Sequence, residues 1–250
     1  MKNLRGICIL GLTLTSGLVM GQLSTNRFVN TSGDGKWETA SNWSAGLPTS
    51  TNIARFDGGK TGTVSSVRMV AAVEVDQLGG FIVNGTTVSC GGDRVSAVGL
   101  STNGTMSITN GGTVICSTNF IVGAGGVSNS ANGVLTISNG TLVVAKTFGQ
   151  NTGAGWTVAL LSNSVTRTIL AQGASIQAES IDIKGGVIEF NGGQMTISSN
   201  AVTEVQAHIT ASRMVAGPQY YLDVQYDTNT LITTVSSAPA SLEMGLLTSP

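Results

Sequence analysis

Acidic side chains are the first candidates for chemistry, because glycan hydrolysis needs two convergent carboxylates and a lyase needs an acidic Ca²⁺ site. Glu74 and Asp76 lie two positions apart, and the alternation that begins at Val73 places both on the outer face of one strand. A second group, which neighbouring strands would have to bring together around Ca²⁺, consists of Glu179, Asp182 and Glu189. Carboxylates on an outer sheet face ordinarily serve solubility, and this interpretation is favoured for both groups.

His208 is the single histidine of the chain. A Ser/His/Asp triad or a histidine-rich metal site would therefore rest on this one residue. Its surroundings predict a position on the outer face of a strand, with the ring in solvent. No helix is predicted beyond the N-terminal segment 1–21, so no helix N-terminus is available to bind phosphate. The sequence leans against an enzyme and leaves the question open.

Tryptophan side chains are the candidates for ligand binding. Trp37 and Trp43 belong to a segment that is richer in aromatic residues than the rest of the chain. Their rings either plug the end of a repeat domain, which is the favoured interpretation, or stack on sugars. Trp156 lies in the segment 149–164, which interrupts the repeat, so its ring either covers a sheet face or binds a ligand from a loop.

A repeated sequence defines the elements that position these residues. The segment 104–116 returns in nearly the same form at 133–145, and a looser copy occupies 81–90. Each copy holds short β-branched runs punctuated by Asn-Gly or Gly-Gly, which is typical of a solenoid whose repeats stack as coils. Asparagine and glycine accept the positive φ of the corners, and stacked asparagines can hydrogen-bond between coils.

The predicted fold is all-β: a single-stranded, right-handed parallel β-helix, or β-solenoid, of about five coils. We expect an aromatic N-terminal cap and a C-terminal β-hairpin cap, because bare ends would expose sheet edges and a hydrophobic cross-section. The predicted divisions are a signal peptide at 1–21, the N-terminal cap at 22–72, the β-helix at 73–215, the hairpin cap at 216–236 and a flexible tail at 237–250.

Two cysteines, Cys90 and Cys116, each follow the asparagine of an Asn-Gly corner at the same interval, from Asn84 and Asn110 respectively. They should therefore occupy the same position in successive coils, about 4.8 Å apart. This separation is within the Cα distance that a disulfide tolerates. A disulfide and a stack of two small buried side chains are both compatible with the pattern.

The segment 1–21 combines a basic start with an apolar run and small residues before Gln22, which predicts a secretory signal peptide. The apolar run is shorter than a membrane span, so the mature chain is expected to have none. The formal net charge is −1 and the basic residues form no cluster, which argues against nucleic acid as a partner.

The N-terminal part of the chain also carries the pattern Gly-x-Gly-x-Trp, then Asn-Trp-x-x-Gly-x-Pro and Ala-x-Phe, before coils of the type Gly-x-Leu-Thr-Ile-x-x-Gly. Over residues 33–200 the chain resembles bacterial secreted and surface proteins with autotransporter-associated β-strand repeats. The resemblance implies a parallel β-helix that is exported to the cell surface or the medium and is structural or adhesive rather than catalytic.

The sequence thus predicts a secreted structural or adhesive protein of the bacterial cell surface or extracellular matrix. Its threonine, serine and asparagine ladders would contact glycans or other copies of the chain. A carbohydrate-active protein, either a polysaccharide lyase or hydrolase or a glycan-binding module, remains an alternative, as does a self-assembling extracellular filament subunit. No cofactor is expected apart from Ca²⁺ at the second acidic group.

Overall fold

The computed structural model describes residues 23–123, 132–150 and 166–240, which form an all-β structure with one α-helix and one short 3₁₀ helix, Ala40–Asn42. The strands of the N-terminal half are β1 (Ser24–Phe28), β2 (Asn52–Phe56), β3 (Thr61–Val64), β4 (Arg68–Val70), β5 (Ala72–Val75), β6 (Gly79–Asn84), β7 (Thr87–Cys90), β8 (Ser96–Val98), β9 (Gly104–Thr109), β10 (Thr113–Cys116) and β11 (Phe120–Val122). The remaining elements are β12 (Gly133–Ser138), β13 (Thr141–Gln150), β14 (Arg167–Leu170), β15 (Ser175–Ile183), β16 (Val187–Phe190), β17 (Gln194–Ile197), α1 (Val202–Thr210), β18 (Met214–Ala216), β19 (Tyr220–Asp227) and β20 (Ile232–Pro239).

The described strands form two sheets, which we call the large sheet and the small sheet. The small sheet has seven parallel strands in the order β3-β6-β9-β12-β14-β16-β18. The large sheet has 13 strands, in which the columns β1-β2-β5-β8-β11 and β4-β7-β10 both lead into the long strand β13. The chain therefore passes the small sheet and then the two columns of the large sheet in the same order in successive repeats.

The strand register confirms the repeat. Gly104 pairs with Gly133 and Ile108 with Ile137, which reproduces the offset between the two close copies in the sequence. The looser copy is also in register, since Phe81 pairs with Met106. Alternate side chains point between the sheets and form one buried core, so each repeat buries its apolar residues on those of its neighbours.

Two corners have the predicted conformation. Asn110 and Asn139 have positive φ angles of 54° and 48°, in the left-handed region that asparagine tolerates better than most residues. The Asn110 Nδ2 donates a hydrogen bond of 2.7 Å to the Asn84 Oδ1 of the preceding repeat. The expected asparagine contact between repeats is therefore present at this corner.

Aromatic rings fill the N-terminal end of the core. The Trp37 and Trp43 ring centroids are 4.6 Å apart, and those of Phe56 and Phe81 are 4.5 Å apart in a stacked arrangement. Strands β1 to β4 already belong to the two sheets, so the stacked strands begin inside the predicted cap segment 22–72. The aromatic residues thus pack directly on the first stacked strands.

The C-terminal end differs from the prediction in one element. Residues of α1 were expected to form a strand, but Val205 is fully buried and Ile209, one helical turn later, packs against the core, which suits one face of a helix. The expected hairpin is formed by β19 and β20, slightly later than 216–236, and β20 pairs antiparallel with β17. No helix in the described part of the chain is long and apolar enough to span a membrane.

Candidate functional site

The acidic group predicted to hold Ca²⁺ is not assembled. Glu179 and Asp182 lie on β15 in the large sheet, whereas Glu189 lies on β16 in the small sheet. Glu189 forms an ion pair with Arg167, whose hydrogen bond lowers the pKa of that carboxyl group, and Asp182 lies 3.3 Å from the Lys184 Nζ. Within the described ranges no group of three or more His, Cys, Asp or Glu side chains could hold a metal ion, and the structure does not bring these three carboxylates together.

The sugar-stacking alternative fails for two of the three tryptophans. Trp37 and Trp43 are 0% and 4% exposed, so neither ring offers a face to a ligand. The Trp43 Nε1 donates a 2.8 Å hydrogen bond to the Trp37 carbonyl, while the buried Trp37 Nε1 has no partner. Both rings serve packing, as the favoured interpretation had it. Trp156 lies outside the described residues.

The two cysteines occupy the predicted positions. Cys90 on β7 and Cys116 on β10 are directly paired in register on neighbouring parallel strands. Both are buried, and both are free thiols in this structure. The contact with Cys90 and burial raise the pKa of the Cys116 thiol. The structure therefore has the stack of two small buried side chains rather than the disulfide.

His208 lies on α1 rather than on the outer face of a strand. Its side chain is 13% exposed, and its Nε2 lies 3.9 Å from Glu204 one helical turn earlier. Burial lowers the pKa of His208, and the charge of Glu204 opposes this effect. The prediction of a solvated histidine is wrong, because this ring lies on a helix that packs against β18 and β19 and its side chain is largely buried.

The prediction of an exposed Glu74–Asp76 pair is also wrong. Glu74 lies on β5 and Asp76 directly follows that strand, yet their side chains are only 3% and 0% exposed, because arginine side chains and the 101–102 backbone cover them. The Arg55 guanidinium lies 3.4 Å from Glu74 and 3.5 Å from Asp76, and the Arg94 Nε lies 3.1 Å from Glu74. The carboxylates are therefore enclosed in an ion network.

Asp76 has the densest set of hydrogen bonds in this network. Its Oδ1 accepts from the backbone N–H groups of Ser101 and Thr102 at 3.1 and 2.7 Å, and its Oδ2 accepts from the Ser101 hydroxyl. Burial by itself raises the pKa of Asp76, but the Ser101 and Thr102 hydrogen bonds outweigh it and hold the pKa below its usual value. A carboxylate held ionised in this way cannot act as the general acid of a hydrolase.

A cavity of about 280 Å³ adjoins this network. Its described lining consists of Glu74, Asp93, Arg94, Val95, Ala97, Leu100 and Ile121. Glu74 and Arg94 are already paired with each other, so the cavity lacks a pair of free convergent carboxylates. The ion network therefore links neighbouring strands, and the cavity beside it does not offer the carboxylate pair that hydrolysis needs.

A different surface has a regular chemical character. The residues Thr87, Thr113, Thr141 and Ser175 are paired in register on β7, β10, β13 and β15, and we call them the hydroxyl row. Each precedes a fully buried residue, so alternation directs the hydroxyl groups outward. Neighbouring strands are about 4.8 Å apart, which sets the spacing of the hydroxyl groups along the row.

The members of the hydroxyl row are uncharged up to β20, beyond which Asp223 on β19 stands in register with Ser236. The row continues in register with Gln194 on β17 and Ser236 on β20. A second outward row runs beside it and consists of Ser89, Ile115, Val143, Gln177, Thr196 and Thr234. We call the two rows together the hydroxyl face. A cleft of about 300 Å³, lined in part by Ser175, Gln194 and Ser236, lies at its C-terminal end.

The sequence predicted hydroxyl ladders in general terms but did not assign this row to residues. The sequence displacement of 29 residues sets Thr113 opposite Leu142, whereas the strands pair Thr113 with Thr141. Thr87 belongs to the looser copy, which precedes Thr113 by a shorter interval. The unequal repeat lengths hid the alignment. Comparison with models of protein families, with curated proteins and with solved structures found no match for this chain.

Proposed function

We propose that this chain is a secreted, non-catalytic adhesive protein whose hydroxyl face binds neutral polysaccharide at the bacterial cell surface or in the extracellular matrix. Its fold in this proposal is a right-handed, single-stranded parallel β-helix. The recurring order of small-sheet and large-sheet strands supports such a coil, and the seven strands of the small sheet favour more coils than the sequence predicted.

The observation that carries the proposal is the in-register hydroxyl row, whose members from Thr87 to Ser236 are all uncharged. Hydroxyl and amide groups can both donate hydrogen bonds to sugar hydroxyl groups and accept bonds from them. A neutral polysaccharide repeats its own hydroxyl groups, so many weak contacts can form together and the avidity exceeds that of any one contact. An acidic polysaccharide would instead call for lysine or arginine on the face, where the two rows have none.

The arginine-bound carboxylates favour binding over catalysis. Glu74 and Asp76 are enclosed by arginine and backbone donors, and Glu189 is paired with Arg167. The alternative of a carbohydrate-active enzyme would need two free carboxylates that converge on one groove. It is the second candidate because Glu179 and Asp182 are accessible on the same strand.

Export is part of the proposal. The predicted signal peptide at 1–21 would direct the chain out of the cytoplasm, and the resemblance to proteins with autotransporter-associated repeats is consistent with a surface or matrix location. No nucleic acid partner is proposed.

A retention and degradation screen tests this function. Purified protein is mixed with insoluble neutral and acidic polysaccharides, with and without Ca²⁺, and both bound protein and newly formed reducing ends are measured. We expect Ca²⁺-independent retention on a neutral polysaccharide without new reducing ends. Depolymerisation that Glu179→Ala or Asp182→Ala abolishes would instead make the protein an enzyme, and retention confined to acidic polysaccharides would exclude the hydroxyl face as the binding surface.

A further inference from the structure

The two ends of the large sheet differ in whether other segments of the chain cover the outer edge of the last strand. At the N-terminal end, the segment 42–46 covers the outer edge of β1: the Ser44 N–H donates to the Arg27 carbonyl at 2.9 Å, and the Val29 N–H donates to the Asn42 carbonyl at 2.7 Å. The small sheet is covered at the same end, because the Trp37 N–H donates to the Thr63 carbonyl of β3. The chain itself therefore covers the outer edges of β1 and β3.

At the C-terminal end, β19 is the last strand of the large sheet and pairs only with β20 on its inner side. The Ser237 N–H of β20 points toward β17, where it donates to the Gly193 carbonyl, and the Ala240 N–H donates to the Gln219 carbonyl. Together with the strand register, these two bonds show which backbone groups of β19 face β20. The N–H and C=O groups of its odd-numbered residues bond to β20, and those of its even-numbered residues point away from it.

The outward groups belong to Leu222, Val224 and Tyr226 at the middle of β19. Among the described residues, none donates to or accepts from the outer backbone groups of these three. A long strand with an open edge is a template for pairing with another strand, and proteins usually shield such an edge with lysine, proline or a bulge. The strand Tyr220–Asp227 has neither lysine nor proline.

We propose that β19 is a dimerisation strand, which pairs antiparallel with β19 of a second copy so that the two large sheets become continuous. The twofold axis passes beside Val224, which faces its own counterpart, and Leu222 faces Tyr226 of the other copy. Each of these residues offers the N–H and C=O groups that an antiparallel pair exchanges. The inference does not depend on glycan binding.

Charge selects this register over its neighbours. With Val224 on the axis, Asp223 faces Gln225 of the other copy and Asp227 faces Tyr221. A shift that centres the axis on Asp223 sets two aspartates directly opposite each other, and a shift to Gln225 opposes Asp223 to Asp227. Like charges directly opposite on neighbouring strands are destabilising. The register centred on Val224 pairs all three outward-directed residues and sets no two aspartates opposite each other.

The same asymmetry favours a closed dimer over a filament. End-to-end growth needs two complementary open ends, whereas the segment 42–46 covers the β1 edge and the segment 35–37 covers the β3 edge. The β18 edge is short and packs against α1 and β19. Pairing of β19 with β19 uses the longest unpaired strand edge in the described structure, since β4 and β18, which also pair on one side only, are three residues long.

Sedimentation of the purified full chain between about 1 and 100 μM tests the proposal, since dimerisation depends on protein concentration. Two substitutions of the exposed Gln225 are expected to act in opposite directions. Gln225→Lys places a cation opposite Asp223 of the other copy, and the twofold axis repeats this contact once. The dimer dissociation constant should therefore fall about threefold or more. Gln225→Glu sets an anion there and should weaken the dimer by a similar factor.

The same two substitutions at Gln206, which is exposed on α1, are the matched control for net charge and should change dimerisation little. Val224→Pro, which removes an outward N–H at an edge position that tolerates proline, should give a folded monomer. The proposal is overturned by a monomer throughout the concentration range, by open-ended assemblies, or by a dimer that responds alike to lysine and glutamate at position 225.

Discussion

Gly104 lies directly against the backbone carbonyl of Val75 in the preceding repeat, so closely that a Cβ at Gly104 would come within 3.0 Å of that oxygen. Gly79 and Gly133 stand in register with Gly104 and meet the carbonyls of Phe56 and Val98 in the same way. This glycine column is where one repeat begins against the one before it. It explains why both copies of the repeat start with glycine.

Gly104→Ala should therefore destabilise the protein by about 3 kcal/mol or prevent folding, because the methyl group meets backbone that cannot move without shifting a neighbouring strand. Gly91→Ala is the matched control, since a Cβ at Gly91 has no heavy atom within 4 Å. Its change in the free energy of unfolding should stay within about 0.5 kcal/mol. Urea unfolding of both variants measures the difference, and equal effects would contradict the packing argument.

The two buried tryptophans should respond differently to the same substitution. Trp43→Phe deletes the hydrogen bond from the Trp43 Nε1 to the Trp37 carbonyl, whereas Trp37→Phe deletes a buried donor that has no partner. Because an unsatisfied buried donor is itself costly, Trp43→Phe should lower the free energy of unfolding by about 2 kcal/mol more than Trp37→Phe. Thermal or urea unfolding decides the order, and the reverse order would be inconsistent with this hydrogen-bond assignment.

The ion network predicts unequal effects for two ion pairs. Asp76→Ala leaves the backbone N–H groups of Ser101 and Thr102 without their buried acceptor and removes one of the carboxylates beside Arg55, and should cost about 3 kcal/mol of stability. Arg167→Met breaks the pair with Glu189 on a side chain that is 47% exposed, and should cost less than about 1 kcal/mol. Similar losses in unfolding experiments on the two variants would show that the Asp76 network is not buried in solution.

His208 should make stability depend on pH. Because burial holds its pKa in the folded protein below the usual value, the unfolded chain binds this proton more readily. Stability should fall as the pH drops below about 6.5 and should level off once the folded-state pKa is passed. The nearby charges of Glu204, Asp182 and Arg213 modify the size of the effect. His208→Gln should flatten the profile between pH 7 and about 5.5, and an unchanged slope would assign it to other groups.

Much of the stacking could be predicted from the sequence, because each repeat carries its own signals. The pairing of Gly104 with Gly133, the conformations of Asn110 and Asn139 and the alignment of the two cysteines all follow from local residue type and period. The burial of Glu74 and Asp76 does not, since it depends on Arg55 and on the loop at 101–102, which belongs to the next repeat.

The helix α1 was missed for a related reason. A short segment such as Val205–Ile209 has too few apolar residues for its period to separate strand from helix. The hydroxyl row was obscured because the repeats differ in length, so Thr87 and Ser175 align with Thr113 and Thr141 only once the strands are paired. Contacts between residues far apart in the sequence, rather than the local sequence pattern, determine both the helix α1 and the hydroxyl row.

The most direct test of the account is to remove hydroxyl groups from one face while keeping the shape of the side chains. The triple variant Thr87→Val, Thr113→Val and Thr141→Val should bind the retained neutral polysaccharide at least about tenfold more weakly, because each lost hydrogen bond contributes roughly 1 kcal/mol. The control is Thr63→Val, Thr105→Val and Thr136→Val on the outer face of the small sheet, which should bind like the unaltered protein. Equal binding by both variants, or equal loss in both, would contradict recognition through the hydroxyl row.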